Sequence, residues 1–212
     1  MNKPTTAQWM GASFAGAVVI VLAIYLGGGH GEKLGLGLRA TARWSFFWFW
    51  LASAGGALAT LFGPGFNALA RRGRDFGLAF ASAHLVHLGL VAWLLYHSAT
   101  PFPRSPLIFF SIAVFWTYLL ALLSISRLSA MLSPSIWWLV RTIGVEYISF
   151  AFLVDFAKNP FNGGVSNLLA YLPFLALAVA GPLLRLAAAA KRLSQRRGGL
   201  RFRGAVSTPI QS

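Results

Sequence analysis

The stretch Phe76–His97, FGLAFASAHLVHLGLVAWLLYH, decides the fold. It holds no Lys, Arg, Asp or Glu, and it exceeds the roughly 20 residues that an α-helix rising about 1.5 Å per residue needs to cross a hydrocarbon layer about 30 Å thick. A helix of this length in water would show a charged face, and this one has none. Its most polar side chains are Ser82 and three histidines, His84, His87 and His97.

Similar runs repeat along the chain, which predicts spans at Trp9–Leu26, Arg43–Phe62, Phe76–His97, Leu107–Ser126, Ile136–Phe156 and Asn167–Ala188. The fifth is interrupted by Arg141, Glu146 and Asp155. Each charge costs about 2.5–3.5 kcal/mol at a helix centre, which the surrounding Val, Ile, Leu and Phe offset. Turn chemistry separates the spans at Gly63-Pro64-Gly65, Pro101-Phe102-Pro103, Ser133-Pro134-Ser135 and Asn159-Pro160. The expected class is all-α, an integral membrane bundle of six transmembrane helices. Pro173 and Pro182 predict kinks in the last span.

Composition agrees. The 212 residues carry a formal net charge of +14 with 57% hydrophobic and only 10% charged residues, whereas soluble domains have about 25% charged residues. The chain has no cysteine, which excludes disulfides, thiolate metal sites, iron–sulfur clusters and a cysteine nucleophile. The first span follows a lone Lys3 with no clean small-x-small cleavage site, so it reads as an anchor. Tryptophans at expected span entrances, Trp9, Trp44, Trp137 and Trp138, fit interfacial belts. The glycine-rich stretch Gly27–Gly37 lacks the spacing of a phosphate-binding loop and reads as a flexible connection.

Six spans place both termini on one side. Lys3, Arg71, Arg72, Arg74, Arg127, Arg185, Lys191, Arg192, Arg196, Arg197, Arg201 and Arg203 fall on the terminal side, against Lys33, Arg39, Arg43, Arg104 and Lys158 opposite. That bias predicts cytoplasmic termini. The expected organisation is a transmembrane domain over 1–190 and a basic cytoplasmic tail over 191–212. The tail suits anionic lipid, each Lys or Arg contributing about 1 kcal/mol near such a surface. Nucleic acid is not expected as a partner, and no stretch remains for a nucleotide-binding module.

Ionisable residues in a bilayer mark function. Counted from Phe76, His84 lies about 12 Å deep and His87 about 16 Å; counted from Ile136, Glu146 lies about 15 Å deep. His84 and His87 share one helix side, and Thr142, Glu146 and Ser149 form a stripe at i, i+4, i+7. If spans three and five touch, the two stripes meet as either a hydrogen-bonded network or a cofactor pocket. Arg141 is about 140° from Glu146 and reaches toward the cytoplasmic end instead. Heme b is the specific cofactor to weigh, because imidazole is a usual axial ligand of heme iron. His84 and His97 are about 20 Å apart along the axis, which suits two stacked hemes. No second span supplies histidine, and His30 lies in the first outer loop.

The stretch Arg74-Asp75-Phe76-Gly77-Leu78, continuing through Phe80 to His87 and Leu88-Gly89-Leu90, resembles the R-R-x-x-G-L...H signature of ferric-reductase-like transmembrane domains. The likeness is strongest to the heme-binding membrane subunit serving a bacterial periplasmic methionine-sulfoxide reductase. Leu119–Arg127, with Ser124 and Ser126, and Trp137-Trp138-Leu139-Val140 extend it, so that it covers roughly 41–156. It implies a bacterial inner-membrane bundle that passes electrons from the cytoplasm or quinol, through heme b on His87, to a periplasmic redox partner, with His84 and His97 as further ligand candidates. Where that family carries histidines on helix five, this chain has Arg141 or Thr142, then Val154 or Asp155. The alternative is a degenerate, non-enzymatic scaffold or assembly subunit with a buried His/Glu network and no heme.

Overall fold

The computed structural model describes residues 4–27, 33–98, 101–125, 131–158 and 164–205, without the side chains of 166 and 196–205. Lys3, His30, Ser126 and Arg127 lie outside the described residues, as do the side chains of Arg196, Arg197, Arg201 and Arg203.

Among the described residues there are seven α-helices and no strand: α1 Thr6–Leu26, α2 Lys33–Phe62, α3 Asn67–Arg71, α4 Gly73–His97, α5 Arg104–Ile125, α6 Pro134–Ala157 and α7 Gly164–Ala205. Five are long and apolar enough to cross a membrane, namely α1, α2, α4, α5 and the Asn167–Gln195 part of α7. This is the pattern of a multi-pass membrane protein. The sixth long helix, α6, carries Arg141, Glu146 and Asp155 and is not among the five.

Local chemistry sets the ends. Thr5 caps α1 in a capping box with Gln8, and Ser133 followed by Pro134 starts α6. Gly63, at φ 92°, takes the left-handed conformation that ends α2 and turns the chain toward α3. The start of the second span is corrected here. Helix α2 begins at Lys33 rather than Arg43, so the 33–37 part of the glycine-rich stretch is helix, and Lys33 Nζ donates to Tyr25 O at 3.0 Å at the end of α1. Trp44 is therefore well inside α2, where its Nε1 donates to Ser13 O at 2.8 Å. Helix α7 runs without a break through 190/191 and past Pro173 and Pro182.

Helix α2 is the hub. It packs on α1, α4 and α7, and its Phe46, 1% exposed, meets Phe152 and Phe156 of α6 and Phe174 of α7 at ring separations of 5.1, 4.9 and 6.4 Å. Alanines bring helices close: Ala17, Ala54, Ala79 and Ala83 are 0% exposed. The completely buried set also includes Ser13, Thr41 and Ser45, while Val19, Ile108, Phe115 and Leu186 face outward. Hydroxyls inside and large apolar groups outside suit a bundle surrounded by hydrocarbon.

End contacts give relative directions. Thr6 Oγ1 donates to Asp75 Oδ1 at 2.6 Å, Arg74 Nε donates to Ser124 O at 3.0 Å, and Lys191 Nζ donates to Thr60 O at 2.8 Å. Phe109 and Leu120 of α5 meet Phe150 and Gly144 of α6 respectively, so these two helices are antiparallel. The six long helices thus alternate in direction, and α1 starts at the end of the bundle where α2 finishes. Replacing Phe46 with Ala is expected to lower stability by about 3–5 kcal/mol, read by thermal unfolding in detergent. A loss no larger than that from Leu186→Ala on the outer face would contradict the hub.

Candidate functional site

Two polar clusters lie between the helices. The first joins α2 and α4. Phe76, Phe80 and Ala83 lie on one inward side of α4, and the same side carries His84 and His87, whose rings stack at 5.2 Å and 23°. Phe80 lies 5.4 Å below His84. His87 Nδ1 is 3.0 Å from Thr41 Oγ1. Thr41 Oγ1 also donates to Gly37 O at 2.7 Å, so the hydroxyl bridges the α2 backbone and the His87 ring and fixes the ring's orientation. His84 Nδ1 is buried and has no protein partner.

The second cluster joins α6 and α7. Arg185 Nε and Nη2 hold the two Glu146 oxygens at 2.8 and 2.7 Å, and Nη2 also donates to Ser149 Oγ at 2.9 Å. This is a bidentate, charge-assisted pair, the strong form of such contacts. Arg185 is mostly covered, with 17% of its side chain exposed, whereas Glu146 is 48% exposed on the bundle surface. Counted from Pro134, Glu146 lies about 18 Å along α6, well within the helix.

The histidines and Glu146 were expected to meet across α4 and α6. Those helices do touch, with Phe80 and Phe152 rings 6.0 Å apart, but the polar groups choose other neighbours: His87 takes Thr41 on α2, and Glu146 takes Arg185 on α7. Ser149 joins the Glu146 cluster. Thr142 donates within its own helix to Trp138 O at 2.8 Å. Arg141 is exposed, and Asp155 forms an i,i+3 pair with Lys158 at 3.8 Å. His97 is exposed and sits over Trp93, with ring centroids 4.1 Å apart.

Sequence reasoning missed Thr41 and Arg185. Arg185 had been counted among the terminal-side charges because it lies near the end of the last span. The available signal was Glu146 itself, since an acid inside an apolar helix requires a cation at similar depth. Arg185 lies about 9 Å before Lys191, the residue that marks the end of the bundle.

As a heme site the residues fit one axial position. A ligating histidine commonly has its other nitrogen held by a hydrogen bond, as Thr41 holds His87. They do not fit a paired set: α6 turns Ile148, Ser149, Phe152 and Phe156 inward, none of them an iron ligand of this class, and His84 and His87 come from one helix. Among the described residues no group of three or more His, Cys, Asp or Glu comes together. The chain matches no protein-family model, and no curated protein or solved structure is significantly similar to it.

Arg185→Met leaves Glu146 without its cation and is expected to cost about 1–3 kcal/mol; adding Glu146→Leu should recover part of that loss. Thermal unfolding of both variants checks this, and equal stability of wild type and Arg185→Met would refute the pairing.

Proposed function

We propose that the protein is a six-pass subunit of a bacterial inner membrane with a ferric-reductase-like layout, in which the histidines of α4 and the Glu146 carboxylate lock helices together and the bundle serves as a non-enzymatic scaffold or assembly partner. The observation that carries this reading is the Glu146–Arg185–Ser149 cluster. On α6, where the resemblance implies histidines turned toward heme, this chain instead places an acid that reaches across to α7. Interhelical polar contacts of this kind fix register and specify one packing.

Six passes with cytoplasmic termini are supported by the alternation of the six long helices and by the charge bias of the sequence. Helix α6 spans about 36 Å, enough to cross, and its Glu146 is neutralised by Arg185. At the end proposed to be cytoplasmic, Lys191 reaches the carbonyls of Thr60 and Leu61 and Arg192 the Thr60 hydroxyl, and the basic residues beyond them are proposed to meet anionic lipid.

A second reading is electron transfer through heme b, from quinol or the cytoplasm to a periplasmic redox partner. The Thr41–His87 contact favours it, because a hydrogen bond that fixes the ring is what a ligating histidine commonly has. Bound there, heme would supply a one-electron relay; the chain's own contribution would be ring orientation by Thr41 and exclusion of water by Phe80.

An absorption spectrum of the purified protein, oxidised and dithionite-reduced, separates the two. The scaffold reading predicts no Soret band and no pyridine hemochrome. A stoichiometric Soret band lost in His87→Ala would establish the second reading instead. Reporter fusions at the C-terminus are expected to show cytoplasmic activity; periplasmic activity would overturn the topology.

A further inference from the structure

A cavity of about 10 Å³ lies where α2, α6 and α7 meet, walled by Phe46, Phe49, Ser53, Ser149, Gly181 and Arg185 among others. Arg185 brings an unspent donor to this region. Its Nε and Nη2 are committed to Glu146 and Ser149, but Nη1 is buried and has no protein acceptor. A buried guanidinium N–H kept from any acceptor loses its hydration with nothing in return.

We propose that the cavity is a binding site for one small hydrogen-bonding molecule, a single water, which accepts from Arg185 Nη1 and donates to the hydroxyl oxygens of Ser53 and Ser149. The size fits, since one water requires roughly 10–15 Å³ of such space and two to four polar partners. The donor and acceptor balance selects water over a halide. Ser53 Oγ gives its proton to Trp50 O at 3.3 Å, and Ser149 Oγ gives its proton to Val145 O at 2.8 Å. Both hydroxyls therefore offer lone pairs to the cavity, which attract a water proton and repel an anion. Glu146 already neutralises Arg185, so no net positive charge is left to hold chloride.

The water couples the second polar cluster to the hub. Arg185 reaches side chains on α6 directly, and through the water it reaches Ser53 on α2. Trp50 Nε1 is not a competing donor, because it is spent on Leu177 O at 3.0 Å. The α2–α6–α7 junction thus becomes a wet joint inside an otherwise apolar bundle.

Gly181 supplies the test. A Cβ there would stand 3.6 Å from Arg185 Nη1 and 3.6 Å from Trp50 Cδ1 and Nε1, an ordinary contact, so a methyl group fits beside Nη1 in the place the water needs. A Cβ immediately before Pro182 carries a backbone cost, and that cost is common to any background, so the readout is a difference. Gly181→Ala is expected to lower the melting temperature of the full-length protein by several degrees more in the wild-type background than in an Arg185→Met background, where Nη1 is gone. Equal changes in the two backgrounds, or a smaller fall in the wild type, overturn the proposal. X-ray hydroxyl-radical footprinting of the unaltered chain gives an independent readout: Phe46, 1% exposed, is expected to be oxidised by radicals formed from the internal water, and its complete protection would also overturn the site. Replacing chloride by gluconate should leave the melting temperature unchanged, and a clear fall would assign the cavity to a halide.

Discussion

Polar side chains inside an apolar bundle must find partners on neighbouring helices, because hydrocarbon offers them none. In this protein a small set of contacts that together join all the long helices answers most of that demand, while Trp9 Nε1, Trp48 Nε1, His84 Nδ1 and Arg185 Nη1 are buried without a protein partner. Arg185 ties α7 to α6 through Glu146 and Ser149. Trp50 ties α2 to α7, and Thr41 ties α2 to α4 through His87. Ser13 donates to Ala79 O at 2.9 Å while accepting Trp44 Nε1 on its own carbonyl, so α1 is fixed to both α4 and α2. Tyr147 donates to Phe109 O at 3.1 Å and joins α6 to α5. Without a hydrophobic drive between helices in lipid, close packing and these bonds supply the specificity.

The same contacts shape what the bundle can do. A pair of imidazoles on successive turns of one helix differs chemically from a pair facing each other across two helices. The first can be braced against a neighbour, as His87 is against Thr41, but it does not by itself clasp a planar cofactor between helices. Beside His84, the interior is filled by Phe80 of α4, Phe49 of α2 and Phe152 of α6, with rings 5.2–6.0 Å apart. These groups exclude water and stiffen the centre, and Glu146 and Ser149 of α6 are directed to α7 instead.

The six long helices were legible in the sequence because charge-free apolar runs need no tertiary information to be recognised. The start of α2 was not, since Lys33, Arg39 and Arg43 broke the apolar run although their neighbours continue the helix. The inward placement of His84 and His87 was legible from their spacing, and so was the stripe of Glu146 and Ser149. Their partners were not. Spacing along one helix says nothing about which neighbour lies on that side, so the matched depth of His87 and Glu146 suggested a meeting that α2 and α7 prevent by occupying the intervening faces. Arg185 was hidden by its position near a helix end, where an arginine ordinarily reaches for the headgroups.

The absence of cysteine from the chain allows this arrangement to be measured with engineered thiol pairs and a short bis-thiol reagent in native membranes. The account predicts efficient cross-linking for Thr41→Cys with His87→Cys and for Glu146→Cys with Arg185→Cys, and background levels for His87→Cys with Glu146→Cys. Efficient cross-linking of that last pair, with loss of the first two, would contradict the helix neighbours on which every functional conclusion rests.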